Sequence, residues 1–166
     1  MIFLTTGTQL SFDRLVRAFD AWAETVNSDM EIFGQVLPSH QNPYVPKNFR
    51  TKPRLTPAEY AEIFDKAKLI VSHAGMGTIL TALTTGKLIC IMPRQMKFHE
   101  HRNDHQLSTV KHLNDYPGLF KACDEQDLPK CLDAALDRLG ALTPQPIDPF
   151  APADFTAEIR RLILAP

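Results

Sequence analysis

The sequence has few of the residues that staple a small fold together or place it in a membrane. It contains three cysteines, Cys90, Cys123 and Cys131, which form no CxxC pair and cannot all be paired within the chain. A disulfide framework is therefore excluded, and buried free thiols in a reducing compartment are expected. The longest uninterrupted apolar run covers only residues 88–92, far short of the ~20 residues that a membrane-spanning helix needs.

Charge imbalance, targeting signals and common nucleotide fingerprints are also missing. The formal net charge is −1, which argues against a nucleic-acid partner or a polybasic membrane surface. No basic segment precedes the apolar residues 1–4 and threonines follow them at once, so we expect no secretion signal and a cytoplasmic location. The absence of a GxGxxG fingerprint and of a Walker lysine argues against an unrelated nucleotide-binding or redox protein.

The chain instead shows apolar strands alternating with helices, over a length suited to one domain. It has 166 residues, of which 44% are hydrophobic. Strands are predicted near residues 1–6, 31–37, 49–52, 68–72, 88–92 and 119–122, and helices near 10–26, 56–66, 77–85, 104–113 and 128–139. The alternation predicts an α/β fold, a single Rossmann-like domain with a mostly parallel sheet and helices on both faces.

The predicted domain covers residues 1–140, and two further segments follow it. Residues 142–152 contain four prolines, so residues 141–152 are interpreted as an extended proline-rich tether. Residues 153–166 are predicted to form a C-terminal helix. This helix either docks on a partner or packs on its own domain, and the sequence leaves both possibilities open.

The most informative segment is residues 68–83, KLIVSHAGMGTILTAL. A buried-strand pattern at Leu69, Ile70 and Val71 runs into a His-Ala-Gly-Met-Gly-Thr turn and then into an apolar helix. Such a turn directs the backbone N–H groups of a helix N-terminus toward an anion beyond the strand, which in an open α/β sheet is usually a nucleotide phosphate. The alternative is a tight turn whose glycines serve packing only.

A second glycine turn follows the first strand, at Gly7 and Thr8. If the first and fourth strands are neighbours, both turns open on the same edge of the sheet. Two glycine turns that flank one crevice suit a diphosphate better than one turn alone. The alternative is a turn that merely ends an N-terminal strand.

A third polar group follows the fifth strand, in residues 94–106, RQMKFHEHRNDHQ. It holds three of the six histidines, and its composition suits hydrogen bonds to a polyhydroxylated, anionic ligand. A zinc site is one alternative, but the spacing matches no common zinc pattern and no cysteine is near, so no metal is predicted. A solvated polar loop is the other alternative.

Three motifs in order, FLTTGTQLSFDRLV, HAGMGT and DHQ, resemble the C-terminal, donor-binding half of GT-B glycosyltransferases of family 28. The resemblance covers residues 1–139. It is closest to single-half members, the catalytic subunits of split exopolysaccharide and capsule enzymes and of the eukaryotic dolichol-linked N-acetylglucosaminyltransferase. It implies one half of a GT-B fold and UDP-sugar-dependent hexosyl transfer with inversion, with the UDP-sugar as donor substrate and no cofactor.

The resemblance also implies roles for individual residues. The residues that would hold the donor diphosphate lie in the turn after the fourth strand: His73, Gly75, Gly77 and Thr78. Those near the sugar follow the fifth strand: Arg94, His105 and Gln106. Gly7 and Thr8 match a loop that faces the interdomain cleft. No catalytic base is singled out, and the candidates are the histidines of one segment: His99, His101 and His105.

One position departs from the family pattern. Many members carry a glutamate on the helix after the turn, where it holds the ribose hydroxyls, and the corresponding residue here is Thr81. A threonine hydroxyl makes a single hydrogen bond where a carboxylate can grip two hydroxyls. The ribose would then be held by another residue, such as Glu100.

The resemblance implies partners as well, because complete enzymes of this fold work in the cleft between two Rossmann-like domains and this chain has one. A membrane-associated acceptor-binding subunit, a lipid-linked saccharide acceptor and a location at the inner face of the membrane are expected. The alternative is a non-catalytic, sugar-nucleotide-binding partner subunit. The donor sugar is open between glucuronate, galactose and N-acetylglucosamine, although Arg94, Lys97 and Arg102 are suited to pairing with a uronate.

Overall fold

The computed structural model describes residues 1–26, 29–40, 43–141 and 144–164, and in these ranges strands and helices follow one another largely as predicted. The strands are β1 Ile2–Thr5, β2 Ile32–Gln35, β3 Arg50–Lys52, β4 Leu69–His73, β5 Leu88–Met92 and β6 Leu119–Lys121. The helices are α1 Asp13–Thr25, α2 Pro57–Lys66, α3 Met76–Thr84, α4 His105–His112, α5 Leu128–Arg138 and α6 Ala153–Leu164. The segment after β5, predicted as a loop, contains one turn of 3-10 helix at Met96–Phe98.

The six strands form one parallel sheet in the order β3-β2-β1-β4-β5-β6. The direction of chain progression reverses between β1 and β4, which are direct neighbours with Thr5 opposite Ser72. In such sheets the crevice beyond the carboxyl ends of the strands at this reversal is where ligands bind. The glycine turns after β1 and β4 therefore open on one edge, and the predicted α/β, Rossmann-like fold is confirmed.

Helices cover both faces of the sheet, which explains why its central strands are apolar throughout. Every residue of β1 and β5 is buried, as expected for parallel strands packed on both sides. On one face Leu4 packs with residues of α1 and α5, and on the other Phe3 packs with residues of α2, α3 and α4. The core thus holds the ends of β1, β4 and β5 rigidly beneath the loops that follow them.

The helix boundaries follow local chemistry. Thr56 and Glu59 form the capping box at the start of α2, with the Thr56 hydroxyl accepting from the Glu59 amide at 3.2 Å and the Glu59 carboxylate accepting from the Thr56 amide at 2.7 Å. Helix α3 starts at Met76, one residue before the predicted start, and its N-cap is Gly75, which has no side chain to cap it. The backbone N–H groups in the first turn of α3 therefore have no side-chain cap.

The C-terminal segments differ from each other in packing. Of the predicted tether, residues 142 and 143 lie outside the described ranges, but Ile147 is bound to the domain, because its amide donates to the Leu83 carbonyl at 3.1 Å. The predicted terminal helix forms as α6, and none of its described residues is buried; residues 165 and 166 lie outside the described ranges. No helix within the described ranges is both long and apolar enough to cross a membrane.

The three cysteines are free, as expected, but only Cys90 is buried. Cys123 is exposed and Cys131 is partly buried. The expectation of buried thiols is therefore wrong for these two residues, because Cys123 follows the short edge strand β6 and Cys131 lies on the helix that covers only one side of β5 and β6.

Candidate functional site

A cleft of about 310 Å³ opens where β1, β4 and β5 end. Its walls come from the loop after β1, from the end of β4 and from the segment after β5. The lining residues are Thr6, Gly7, Thr8, Gln9, Leu10, His73, Arg94, His101 and Gln106. Six of the residues singled out from the sequence are thus brought together at the reversal point of the sheet.

The imidazole of His73 fills the space that two glycines leave open. A Cβ on Gly7 would lie 3.1 Å from Cε1 of His73, and a Cβ on Gly75 would lie 2.4 Å from its Nε2. Gly7 also adopts a φ of +79°, which side chains disfavour. These two glycines therefore make room for the His73 ring, whereas the sequence had suggested room for a ligand.

His73 is a neutral imidazole at physiological pH. Burial, together with the nearby Arg94 guanidinium, lowers its pKa to about 4, and the Thr5 backbone only partly opposes this shift. Its Nδ1 is buried and has no hydrogen-bond partner of normal geometry among the described residues. A buried polar atom without a partner is costly. Because Nδ1 itself is closed to solvent, a ligand in the cleft would contact the ring through its other atoms.

The first turn of α3 supplies unpaired backbone donors next to His73. The amides of Met76, Gly77 and Thr78 make no hydrogen bond with any described residue, and a Cβ on Gly77 would meet no atom within 4 Å. Open amides at a helix N-terminus suit an anion. Gly75, Gly77 and Thr78 do not line the cleft itself. Gly75 lies against the ring of His73, which does line it, and Gly77 and Thr78 follow in the first turn of α3.

Arg94 lies inside the wall of the cleft, where it bonds to backbone. Its guanidinium is 2% exposed and donates to the carbonyls of Thr6 at 2.7 Å, Leu10 at 2.8 Å and Glu100 at 3.3 Å, and also to that of Ser11. Burial lowers the pKa of Arg94 to about 10, opposed by the charge of Glu100, so it stays cationic at neutral pH. The structure thus places Arg94 beside the cleft with all four of its Nη–H donors already used, which differs from the free guanidinium expected of a sugar ligand.

Glu100 is not available to hold a ribose, contrary to the expectation. Its carboxylate is 9% exposed and accepts from Arg14 at 2.7 and 2.9 Å and from the Gln95 amide at 2.9 Å. Arg14 also pairs with Glu125 at 2.7 Å. Burial alone would lower the pKa of Arg14, but the two carboxylates raise it overall. Through these contacts, Glu100 holds the segment after β5 in place.

Gln106 presents one half of its amide to the cleft. Its Oε1 accepts from the Arg94 backbone amide at 3.1 Å, and the side chain is mostly buried. Its Nε2 makes no hydrogen bond with any described residue. The carboxamide is therefore fixed by one atom and keeps two N–H donors for a ligand hydroxyl.

Of the three candidate bases, only His101 lines the cleft. Its Nδ1 lies 3.0 Å from Oδ1 of Asn103, and the same Oδ1 accepts from the backbone amide of His105 at 3.3 Å. Because that atom accepts a backbone N–H, it is an oxygen, and Nδ1 of His101 must carry the proton. In the neutral form of the ring this leaves the lone pair on Nε2, the atom that a general base needs.

The other two candidates point elsewhere. His99 is exposed, has a left-handed backbone with a φ of 57°, and lines a separate cleft of about 320 Å³ with Arg14 and Phe98. His105 begins α4 and its side chain is exposed. Among the described residues, no three His, Cys, Asp or Glu side chains are arranged to hold a metal ion.

Thr81 is exposed on α3, and its hydroxyl donates to the Gly77 carbonyl at 2.8 Å. Its only donor is thus used within its own helix. The residues that sequence reasoning missed are Arg14 and Asn103, which orient Glu100 and His101. Both lie in the segments that carry the family resemblance, but nothing in their spacing shows which side chain they contact.

The comparisons with known proteins agree with this geometry. The model of the family described as the glycosyltransferase family 28 C-terminal domain matches residues 1–145. The crystal structure of MurG from Acinetobacter baumannii superposes with a TM-score of 0.59 at 20% identity, over 84% of this chain and 40% of that one. The glycotransferase of kitacinnamycin superposes with a TM-score of 0.52 at 19% identity, over 85% of this chain and 35% of that one.

No curated protein sequence gives a significant match. The chain spans less than half the length of the two solved structures, and at these identities they show the fold alone. The family model, by contrast, covers most of the chain. The protein therefore belongs to the family of glycosyltransferase family 28 C-terminal domains and has the fold of one half of a GT-B glycosyltransferase.

Proposed function

We propose that this chain is the donor-binding, catalytic subunit of an inverting UDP-sugar glycosyltransferase that acts on a lipid-linked acceptor in exopolysaccharide or capsule biosynthesis. The observation that carries the proposal is the pairing of open α3 amides with the neutral, partly unsatisfied His73 at the reversal point of a family 28 sheet. The α3 amides and His73 together offer hydrogen-bond donors for a diphosphate, and neither of them is a cation.

The chemistry follows from where negative charge develops. As the bond from the anomeric carbon to the diphosphate breaks, its electron pair goes to the UDP oxygen. The amides of Met76, Gly77 and Thr78 would stabilise this charge together with the α3 dipole. With these donors in place we propose that no metal cofactor is needed, so a chelator is expected to leave transfer unchanged.

His101 is the residue we propose as the base. Its Nδ1 is held by Asn103, so the neutral ring would carry its lone pair on Nε2. It would take the proton of the acceptor hydroxyl as that oxygen attacks the anomeric carbon from the face opposite UDP. Gln106 would orient the sugar through Nε2, on the same side of the cleft.

The acceptor would be held by a second, membrane-associated subunit. Several apolar side chains are exposed on the segments after β1, β4 and β5: Leu10, Met76, Leu80, Met96 and Phe98. Others lie exposed on α6 at helical spacing: Phe155, Ile159, Leu162 and Ile163. Apolar patches of this kind mark protein or membrane contacts. They support a partner that closes the cleft and places this chain at the inner face of the membrane.

Calorimetry against UDP-glucuronate, UDP-galactose and UDP-N-acetylglucosamine tests donor binding. We expect one donor to bind and Gln106→Ala to weaken it about tenfold, as for a lost hydrogen bond. The control His112→Ala, on the exposed end of α4, should bind like wild type. Equal and negligible binding of every donor by wild type would contradict the proposal.

Transfer in the presence of the acceptor-binding subunit separates a catalytic subunit from a non-catalytic one. We expect His101→Asn to keep donor binding and to lower the transfer rate by about 10²–10⁴-fold, as for a lost general base. His112→Asn is the matched control. An unchanged transfer rate in His101→Asn, together with intact transfer in His73→Ala and Gln106→Ala, would favour the non-catalytic alternative.

A further inference from the structure

We infer that Arg94 is a positioning residue that sets the width of the cleft by holding its two loops together, and that it is not a ligand for the sugar. The identity of the ligand in this inference rests on the proposed function. The role of Arg94 in shaping the cleft does not, because it follows from contacts within the chain.

The guanidinium joins segments that are far apart in the sequence. Three of its four acceptors, the carbonyls of Thr6, Leu10 and Ser11, belong to the loop after β1, and the fourth belongs to Glu100. Its Cζ also lies 4.6 Å from the ring centroid of Phe12, where a cation is favoured. The loop that carries Gly7 and Thr8 is thus fastened at both of its ends by one side chain.

The backbone of Arg94 fastens a third part of the cleft. Its amide donates to Oε1 of Gln106 on α4, which leaves Nε2 of Gln106 as the half that meets a ligand. A shift of Arg94 would therefore move the loop after β1 and the Gln106 carboxamide together. Both elements line the same cleft.

An arginine is required for this arrangement. A guanidinium offers five N–H donors in a fixed plane, whereas a lysine ammonium offers three from one nitrogen. Among the described residues no carboxylate bonds directly to Arg94, because both oxygens of Glu100 are taken by Arg14 and by Gln95. All four Nη–H groups are therefore taken by carbonyls, and the single Nε–H that remains cannot form the two parallel hydrogen bonds with which a guanidinium binds a uronate carboxylate.

The test uses the full-length protein and compares Arg94→Lys with Arg54→Lys. Arg54 is exposed and makes no hydrogen bond or ion pair with any described residue, so it reports the effect of the chemical change alone. We expect the backbone amide of Gly7, which donates to the Thr5 hydroxyl at 3.3 Å, to exchange with solvent at least about tenfold faster in Arg94→Lys, as in a local opening. Amides of β4 and β5 should be unchanged in both variants.

Donor binding separates positioning from direct contact. Because a misplaced wall affects every donor, Arg94→Lys should weaken UDP-glucose and UDP-glucuronate by the same factor, about 10–100-fold. A guanidinium that bound the uronate would instead give a loss confined to UDP-glucuronate. A wild-type exchange rate of the Gly7 amide in the variant, or a loss confined to the uronate donor, would overturn the inference.

A second measurement covers the case in which Arg94→Lys does not fold. In the wild-type protein, the Nη protons of Arg94 should exchange slowly in nitrogen-edited NMR, and their shifts should stay constant when UDP-glucuronate is added. Rapid exchange would show that the four carbonyls do not hold the guanidinium. If wild type binds none of these donors, the proposed function fails, and the exchange measurements still decide the role of Arg94.

Discussion

Two groups of residues at and beside the cleft are built in opposite ways. In the first, Arg14, Arg94 and Glu100 are mostly buried, and their donors and acceptors are matched to one another and to backbone carbonyls; we call this group the paired wall. In the second, His73, which lines the cleft, and the first turn of α3, which follows it, contain a buried nitrogen and three amides without partners among the described residues; we call it the open wall.

The difference indicates which side shapes the site and which side binds. A buried polar group without a partner costs free energy, so folded proteins generally satisfy such groups themselves. The paired wall does so and needs nothing further from a ligand. The open wall keeps donors at the point where a nucleotide phosphate would lie in this fold. Damage to the paired wall should therefore reduce stability first, and damage to the open wall should reduce binding first.

The largest expected effect is on the paired wall, from Glu100→Ala. This change leaves the buried Arg14 without its main partner, and breaking a buried ion pair from one side costs about 3–5 kcal/mol. Glu31→Ala is the control, because Glu31 forms an equally short ion pair with Arg50 while 57% exposed, and exposed pairs contribute about 0–1 kcal/mol. Urea denaturation measures both, and equal losses in the two variants would remove the distinction between the walls.

The second effect concerns the open wall and depends on pH. His73 has a pKa of about 4 in the folded protein against about 6.5 in an unfolded chain. Between these values the unfolded state binds a proton that the folded state does not, so stability falls as the pH drops from about 6.5 to about 4 and the loss is complete below 4. The contribution totals about 3 kcal/mol.

The measurement is the free energy of unfolding at several pH values between 4 and 7. In wild type, His73 should make the free energy of unfolding change by up to about 1.4 kcal/mol per pH unit in this range. The His73→Gln variant should lack this pH dependence, and the His112→Gln variant should keep it, because His112 is exposed. Parallel curves for wild type and His73→Gln would mean that His73 takes up its proton as easily in the folded protein as in the unfolded one. The open wall would then lack its neutral imidazole.

The sheet and the position of the site follow from local sequence signals. Apolar strands, the Thr56 capping box and the glycine turns act over a few residues, so their pattern predicts the elements and the edge at which the turns open. The contacts within the site span much longer distances along the chain. Arg14 meets Glu100 across 86 residues, and no spacing rule indicates that pair, so Glu100 looks like a free carboxylate in the sequence.

The same limit applies to the histidines and the glycines. His99 leaves the cleft because its backbone is left-handed, and His101 enters it two residues later, a difference that composition does not reveal. The sequence leaves Gly75 open between room for a ligand and packing, and in the structure its missing Cβ makes room for His73. A glycine pattern shows where space is needed, and only the packed structure shows what fills it.

The smallest expected effects on stability come from the two glycines of the open wall, Gly75, which makes room for His73, and Gly77, which borders open space. Gly75→Ala would place a Cβ 2.4 Å from Nε2 of His73. That ring cannot move away easily, because the Gly7 backbone lies on its other side, so we expect a loss of about 1–3 kcal/mol, as for overpacking. Gly77→Ala meets open space and should gain up to about 1 kcal/mol from the higher helix propensity of alanine.

For Gly77→Ala, we expect the affinity for UDP to fall although the stability of the protein does not. Its methyl group would occupy the approach to the α3 amides, so UDP should bind more weakly to a protein that is at least as stable as wild type. Thermal unfolding and UDP titration of the two variants give both quantities. Wild-type affinity for UDP in Gly77→Ala would show that the diphosphate does not approach these amides, and the open wall would then be open for some reason other than the donor.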